Sequence, residues 1–327
     1  MGRAGFGVLA GWALFLGAAA HAQETPGPIA IHGNKQTFEI APVLLAAVDH
    51  YDGEARVKMG GIANLVGEPA VPGFGEAGVA DVATHAETQA LRYSVRHPNL
   101  RIDLNVTEGR YRIVARRSAG IARVADLEGK RIATIPQTSA GYFLHRMLGR
   151  EGLSFDDITA VPVTPLSGMT EALRNREVDA VVIWEPESGN AARALGDDMI
   201  AFSGEGVYRE LFNLNTTAEN LADPAKRAKI VAFVHALIVA TEDMNAEPGL
   251  AQALVGAAGG FSGREIHDGW PHHRFTAVIP PDLLDVLVEE EQWLAGRDGR
   301  PARDREQLAT LIDTSVYEDA LALGEPR

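Results

Sequence analysis

Apolar and polar positions follow two rhythms along this chain. For the first two hundred or so residues, short β-like apolar runs alternate with segments whose apolar positions recur at helical spacing, and beyond Asp223-Pro224 helices dominate. Ile29–His32, Ala80–Ala83, Arg101–Val106 and Arg112–Ala115 read as strands. Pro42 opens an apolar helix reaching about His50, and Thr84-His-Ala-Glu-Thr88 leads into another that ends near Pro98. Between them, Gly60–Gly78 holds six glycines in nineteen residues and reads as irregular backbone, a lid or a rim.

From Ala125-Asp-Leu-Glu-Gly-Lys130 the alternation restarts. Strands are expected at Arg131–Ile135, Ile158–Val163 and Ala180–Trp184, with helices from Ser139, Ser167 and Pro186. Ser167 fits an N-cap, and Gly152 and Gly196 stand just past helix ends. Further on, Ser262-Gly-Arg-Glu265 has capping-box spacing, and Pro281-Asp282 opens a helix running to about Ala295. This order predicts two α/β lobes followed by helices.

The chain's first residues stand apart from this pattern. Arg3, an apolar run from Phe6 to Ala20 and small residues at Ala20 and Ala22 predict an export leader, residues 1–22, cleaved before Gln23. No later stretch approaches the ~18 uninterrupted apolar residues of a membrane span. The sequence contains no cysteine, which excludes disulfides, a lipidated N-terminal cysteine and thiol catalysis. Without the leader, 29 Lys and Arg stand against 44 Asp and Glu, a formal charge of −15 that repels nucleic acid and anionic membranes. Glu289-Glu290-Glu291 is expected to belong to this solvated charge, on the outer face of a helix.

One stretch invites chemistry. In Ile135-Pro-Gln-Thr-Ser-Ala-Gly-Tyr142 the small residues Thr138, Ser139, Ala140 and Gly141 start a helix, with Ser139 expected as the cap. The first N–H groups of a helix lack intrahelical partners and carry the positive end of its dipole, so they attract an anion or a polarised carbonyl. The alternative is a cap whose small residues relieve packing.

The segments "VADLEGKRIATIPQTSAGYFLHRML" and "EALRNREVDAVVIWEPESGNAARAL" resemble the second lobe of periplasmic substrate-binding proteins of the sulfonate, nitrate, taurine and thiamine-precursor type. The resemblance is clear over residues 79–200, weaker in the C-terminal helices including Glu291-Gln-Trp293, and poor from Met59 to Gly78. It implies the type II periplasmic-binding-protein fold: two α/β lobes with the ligand cleft between them, joined near Arg112–Ser118 and Tyr208–Thr216. The chain then divides into a signal peptide (1–22), a first part of lobe 1 (23–116), lobe 2 (117–210) and a return to lobe 1 with the C-terminal helices (211–327).

Open α/β sheets bind ligands beyond the carboxyl ends of their strands. On that basis the candidate ligand-binding residues are Asn34, Lys35, Gln36 and Phe38 after the first strand, and Thr84, His85 and Glu87 after another. Glu108, Arg110 and Tyr111 at the junction, Thr138 to Gly141, and Trp184 and Glu185 at a strand end complete the set. Trp184 and Tyr111 suit stacking, Lys35 and Arg110 an anion, and Glu87, Glu108 and Glu185 an amine or hydroxyls, so a zwitterion or polar heterocycle satisfies both signs. His32, His85 and Glu87 could be imagined around a metal, but His272-His273 lie in a distant Trp-Pro loop and no dense ligand cluster stands out. Neither metal nor cofactor is expected.

The resemblance implies a non-catalytic, monomeric periplasmic protein that closes its lobes on a small molecule and presents it to an inner-membrane ABC permease. No nucleic-acid partner is expected. Two alternatives stand beside it. An enzyme on the same scaffold is one, although the known chemistries of such relatives lean on cysteine. The other is a sensor domain serving a membrane receptor.

Overall fold

The structure, a computed structural model, describes residues 1–2 and 25–324. Apart from its first two residues, the expected leader lies outside the described residues. β1 (Ile29–Gly33), β2 (Ala55–Met59), β3 (Val82–Ala86) and β4 (Leu100–Gly109) precede the first passage between sheets. β5 (Arg112–Arg116), β6 (Arg131–Ala133), β7 (Thr159–Val161), β8 (Ala180–Val182) and β9 (Met199–Ser203) follow it. The chain then returns through β10 (Glu210–Thr217) and β11 (His273–Val278).

These strands build a six-stranded sheet in the order β11-β4-β10-β3-β1-β2 and a five-stranded sheet in the order β7-β6-β8-β5-β9. The β1–β2 and β1–β3 pairs are parallel, whereas β10 runs antiparallel between β3 and β4. The chain therefore changes sheet at Arg110–Tyr111 and again at Gly204–Arg209. Both passages come earlier than expected. Arg112–Arg116 pairs with β8 and β9 inside the second sheet, and Glu210–Thr217 is a fully buried strand of the first.

The helices that matter for the cleft are α1 (Glu87–Ser94), α2 (Ser139–Gly149), α3 (Glu187–Leu195), α4 (Pro224–Ala246), α5 (Gly263–Gly269) and α6 (Leu283–Asp298). Local chemistry starts two of them. Asp223 accepts hydrogen bonds from the N–H groups of Ala225 and Lys226 ahead of Pro224, and Ser262 and Glu265 form the expected capping box on α5. In the stretch Gly60–Gly78, one turn of helix at Ile62–Leu65 interrupts otherwise irregular backbone.

Two apolar clusters fill the molecule. One packs Ile31, Val82 and Leu104 of the first sheet against Phe233 and Leu237 of α4. The other begins among Ile113, Ile132, Phe143 and Val181 of the second lobe and continues through Tyr111 and Tyr208 to Leu211, Leu283 and Leu287. The lobes thus share a core where the chain passes between them. α6 belongs to that shared core: Trp293 meets the Tyr142 ring at 5.1 Å between centroids.

The expectation for Glu289-Glu290-Glu291 is corrected here. Successive residues on a helix point ~100° apart, so three in a row cannot share one face. Glu289 is exposed and pairs with Arg146 at 2.7 Å, while Glu290 and Glu291 are fully buried. Arg303 reaches Glu291 at 2.9 Å and Arg300 reaches it at 3.1 Å. Burial pushes the Glu291 carboxyl up, but the hydrogen bonds from Arg300 and Arg303 outweigh it and hold it down at about 2. Removing one partner of such a cluster strands the others. Glu291→Gln is expected to destabilise the protein by about 3–5 kcal/mol, measured by urea unfolding at neutral pH.

Candidate functional site

The carboxyl ends of β1 and β3 face those of β6 and β8 across a cleft. Asn34 follows β1, His85 is the penultimate residue of β3, Thr138 closes the loop after β6, and Trp184 stands two residues past β8. These four side chains and Gln89 of α1 are common to two connected spaces. The inner one, about 50 Å³, is floored by Thr37, Glu39, Glu210 and Ser139. The outer one, about 340 Å³, runs beneath Val71 and Phe74 of the glycine-rich stretch. That stretch is therefore a roof over the cleft. Gly61 brings it close to His85, because a Cβ there would fall 2.6 Å from the imidazole ring.

The lobes are latched on both sides of this space. At one side Gln89 and Arg92 donate to the Gln137 carbonyl at 3.1 and 3.2 Å. At the other, Asn190 of α3 donates to Glu265 at 3.1 Å and Arg193 to Asp268 at 2.8 Å, both on α5.

The start of α2 differs from expectation. Thr138, not Ser139, occupies the cap position, and its hydroxyl donates to the Ile135 carbonyl at 2.8 Å, so no side chain caps the helix. Ser139 is buried; its hydroxyl donates to Glu210 Oε1 at 3.1 Å and accepts from the Tyr111 hydroxyl at 2.9 Å. The group that meets this first turn is the protein's own Glu210 carboxyl, through the Ser139 hydroxyl. Ala140 is fully buried, and Gly141 packs so tightly that a Cβ would meet the Pro136 carbonyl oxygen at 2.4 Å. Both are small for packing and neither lines the cleft.

Other expected contacts are redirected too. Phe38 is core, edge-on to Phe261 at 5.0 Å. Lys35 and Gln36 shape their own loop, the Lys35 N–H meeting Met59 Sδ at 3.2 Å and the Gln36 N–H meeting Asn34 Oδ1 at 2.9 Å. Thr84 is fully buried behind Gly33. Glu185 turns away from the cleft to Arg112, 2.7 Å away, and to the Gly189 N–H at 2.8 Å. Glu108, bound by Arg209 at 3.0 Å, and the exposed Arg110 and buried Tyr111 border a separate groove at the junction. The loop carrying His272 and His273 is not distant: His273 Nε2 lies 3.4 Å from Glu39, and His272 contacts Arg112.

The floor itself was missed. Glu39 and Glu210 are both more than nine-tenths buried, side by side, with Thr37 donating to Glu39. Their signal in the sequence is slight: each is a lone acid beside apolar neighbours, in Phe38-Glu-Ile40 and Glu210-Leu-Phe212. Burial and then the charge of Glu39 push the Glu210 carboxyl well above its usual range. Burial pushes His273 down, but Glu39 outweighs that and raises it. Burial, aided by Arg92, pushes His85 down to about 4, which leaves a neutral imidazole on the cleft wall at neutral pH. Two buried polar atoms of cleft-lining residues have no partner among the described residues, Glu210 Oε2 and Trp184 Nε1. Among the described residues no three ligating side chains are grouped to hold a metal ion.

The comparisons with known proteins converge on one architecture. The family profile described as NMT1/THI5 like matches residues 68–254. Four Brucella proteins described as binding proteins align at 34% identity over 70 residues, one of them from Brucella abortus (strain 2308); the alignment spans 21% of this chain and 22% of that relative. Among solved structures, the alkanesulfonate-binding protein SsuA from Xanthomonas axonopodis pv. citri, bound to MOPS, superposes with a TM-score of 0.67 at 18% identity, covering 89% of this chain and 99% of its own. The periplasmic aliphatic sulphonate binding protein SsuA from Escherichia coli gives 0.65 at 16%, covering 86% and 91%. The desulfurization enzyme DszB gives 0.61 at 16%, covering 90% and 99%. At such identities they show the fold.

Glu87, expected to face a ligand, is instead fully buried behind the cleft wall. It accepts from the Tyr208 hydroxyl at 2.6 Å and from the Leu211 N–H at 2.9 Å, and the Glu290 carboxyl lies near it. Burial, only partly offset by these donors, raises Glu87 to about 7, and burial together with the Glu87 charge raises Glu290 well above the usual carboxyl range too. A carboxyl raised in the folded state holds a proton that the unfolded chain has lost, so its contribution to stability declines as pH rises from about 4.5 toward the folded value. Buried histidines such as His85 push the other way. Comparing the parent with Glu290→Gln cancels them. The stability difference is expected to shift in favour of the variant as pH rises from about 4.5 to about 7, measured by thermal unfolding across that range.

Proposed function

The chain belongs to the NMT1/THI5-like family, and on that premise we propose that it is the solute-binding component of an ABC import system, capturing one small organic molecule between its lobes. The observation that carries this is the roofed cleft, in which wall residues from both lobes surround connected spaces and the two sides are latched by hydrogen bonds that opening must break. Such an arrangement binds by hinge closure. The first lobe offers Asn34, His85 and Gln89, the second offers Thr138 and the Trp184 ring, and the ligand lies between them.

A chemistry of transformation has little to work with here. Of the hydroxyls near the floor, Thr138 donates to a backbone carbonyl, and Ser139, which donates to Glu210, is buried and bound on its other side by the Tyr111 hydroxyl. Export and delivery to a permease complete the proposal, with mature protein starting at Gln23. Intact-mass measurement of secreted material is expected to show loss of residues 1–22, and a mass that retains them overturns export by cleavage at that site.

Binding is tested by thermal shift over a panel of sulfonates, carboxylates, amino acids, pyrimidines, amines and polyamines. A true ligand at about 100 times Kd contributes about 2.7 kcal/mol and raises the melting temperature. Trp184→Ala is expected to leave folding intact and weaken that ligand by about tenfold or more, because the ring is the one large aromatic shared by both spaces. A panel without any shift overturns the binding reading, and turnover of a member with release of product favours an enzyme instead.

A further inference from the structure

The floor of the inner space is built for a proton donor. Its hydrogen-bonding groups are Glu39, Glu210, Thr37 and Ser139, and both hydroxyls already donate to the two carboxyls. Among the described residues no lysine or arginine lines this space. Arg92 stands at the outer space and is committed to Gln89 and Gln137. His273 stands 3.4 Å from Glu39 and does not line this space. An anionic head placed on this floor would meet two carboxyls, one of them with an oxygen, Glu210 Oε2, that has no donor.

Above the floor the surroundings become apolar. Trp184 and His85 form the neck, and Ala63, Val71, Phe74 and Ile135 line the outer space. The inner volume of about 50 Å³ holds a head group little larger than one or two waters, whereas the outer one holds a ring or a short alkyl body.

We propose that the cleft selects a small organic cation: an ammonium head on the Glu39–Glu210 floor and an aryl or alkyl body against Trp184 beneath the Val71–Phe74 roof. This rests on the solute-binding role proposed above and departs from the sulfonates bound by the structural neighbours. The Ser139 hydroxyl at the helix start is already spent on Glu210, and the ligand supplies the positive charge that this carboxyl lacks. A cation seated on the floor gives the Glu210 carboxyl a charge-assisted hydrogen bond.

The test keeps the body constant and changes the head. 2-Phenylethylamine, 2-phenylethanol and 2-phenylethanesulfonate are titrated calorimetrically into the full mature chain. The amine is expected to bind at least about tenfold more tightly than either of the others, and Glu210→Gln is expected to abolish that preference. Since the variant replaces a buried acid by an isosteric amide able to donate to Glu39, its melting temperature should hold. Should it fail to fold, Glu39→Gln serves the same purpose, and the comparison of heads on the parent protein needs no variant. Tighter binding of the sulfonate or the alcohol, or an amine preference unchanged in both variants, overturns the inference while leaving a solute-binding cleft in place. If all three probes fail while another solute of the broad panel binds, the cation class alone falls; if nothing binds at all, the binding role falls with it.

Discussion

The structure depends on how it keeps carboxyl groups out of water at the junction of its lobes. Glu39, Glu87, Glu210 and Glu290 are all buried within or beside the passages between the sheets. An isolated buried carboxylate is too costly to keep, so the group either finds donors or keeps its proton. Both solutions appear here. Glu87 takes the Tyr208 hydroxyl and the Leu211 N–H and leans on Glu290, while Glu210 takes Ser139 and leans on Glu39.

These pairs couple the junction to the cleft. Tyr208 lies on the second passage and Tyr111 on the first, and their rings meet at 5.7 Å between centroids. Tyr208 reaches Glu87, in the first turn of α1, the helix that also carries Gln89 and Arg92 of the cleft latch. Tyr111 reaches Ser139 and through it Glu210 on the cleft floor. Opening the lobes would move tyrosines whose hydroxyls are bound to buried acids, Tyr208 directly and Tyr111 through Ser139. A discrete hinge motion follows more naturally from that than a continuous flexing, because a buried acid cannot trade its donor for water partway.

The roof explains where this chain departs from the pattern of the proteins it resembles. The resemblance is poor from Met59 to Gly78, and that is the segment lying over the outer space. The roof over that space is glycine-rich backbone carrying Val71 and Phe74, and its residues differ in kind from the carboxyls of the floor. Similarity to proteins of the same fold therefore says little about either.

Much of this was legible in the sequence, for definite reasons. Burial on both faces made the strands read as apolar runs, the caps at Asp223 and Ser262 showed as residue types at fixed spacing, and the second-lobe motifs carried the fold. Strand ends could be named, so Asn34, His85, Thr138 and Trp184 could be placed at a cleft. Which side of each loop faced that cleft could not. Phe38 and Glu39 are neighbours in sequence, yet one is core and the other is floor. Ser139 looked like a cap because its type caps helices, and only the arrival of Glu210 from 71 residues away gives its hydroxyl another partner. The Glu289–Glu291 run looked solvated because charge usually is, and the packing of α6 against α1 and the second lobe decided otherwise. Local pattern sets the elements; the partners of a buried charge come from distant parts of the chain, and no local pattern records them.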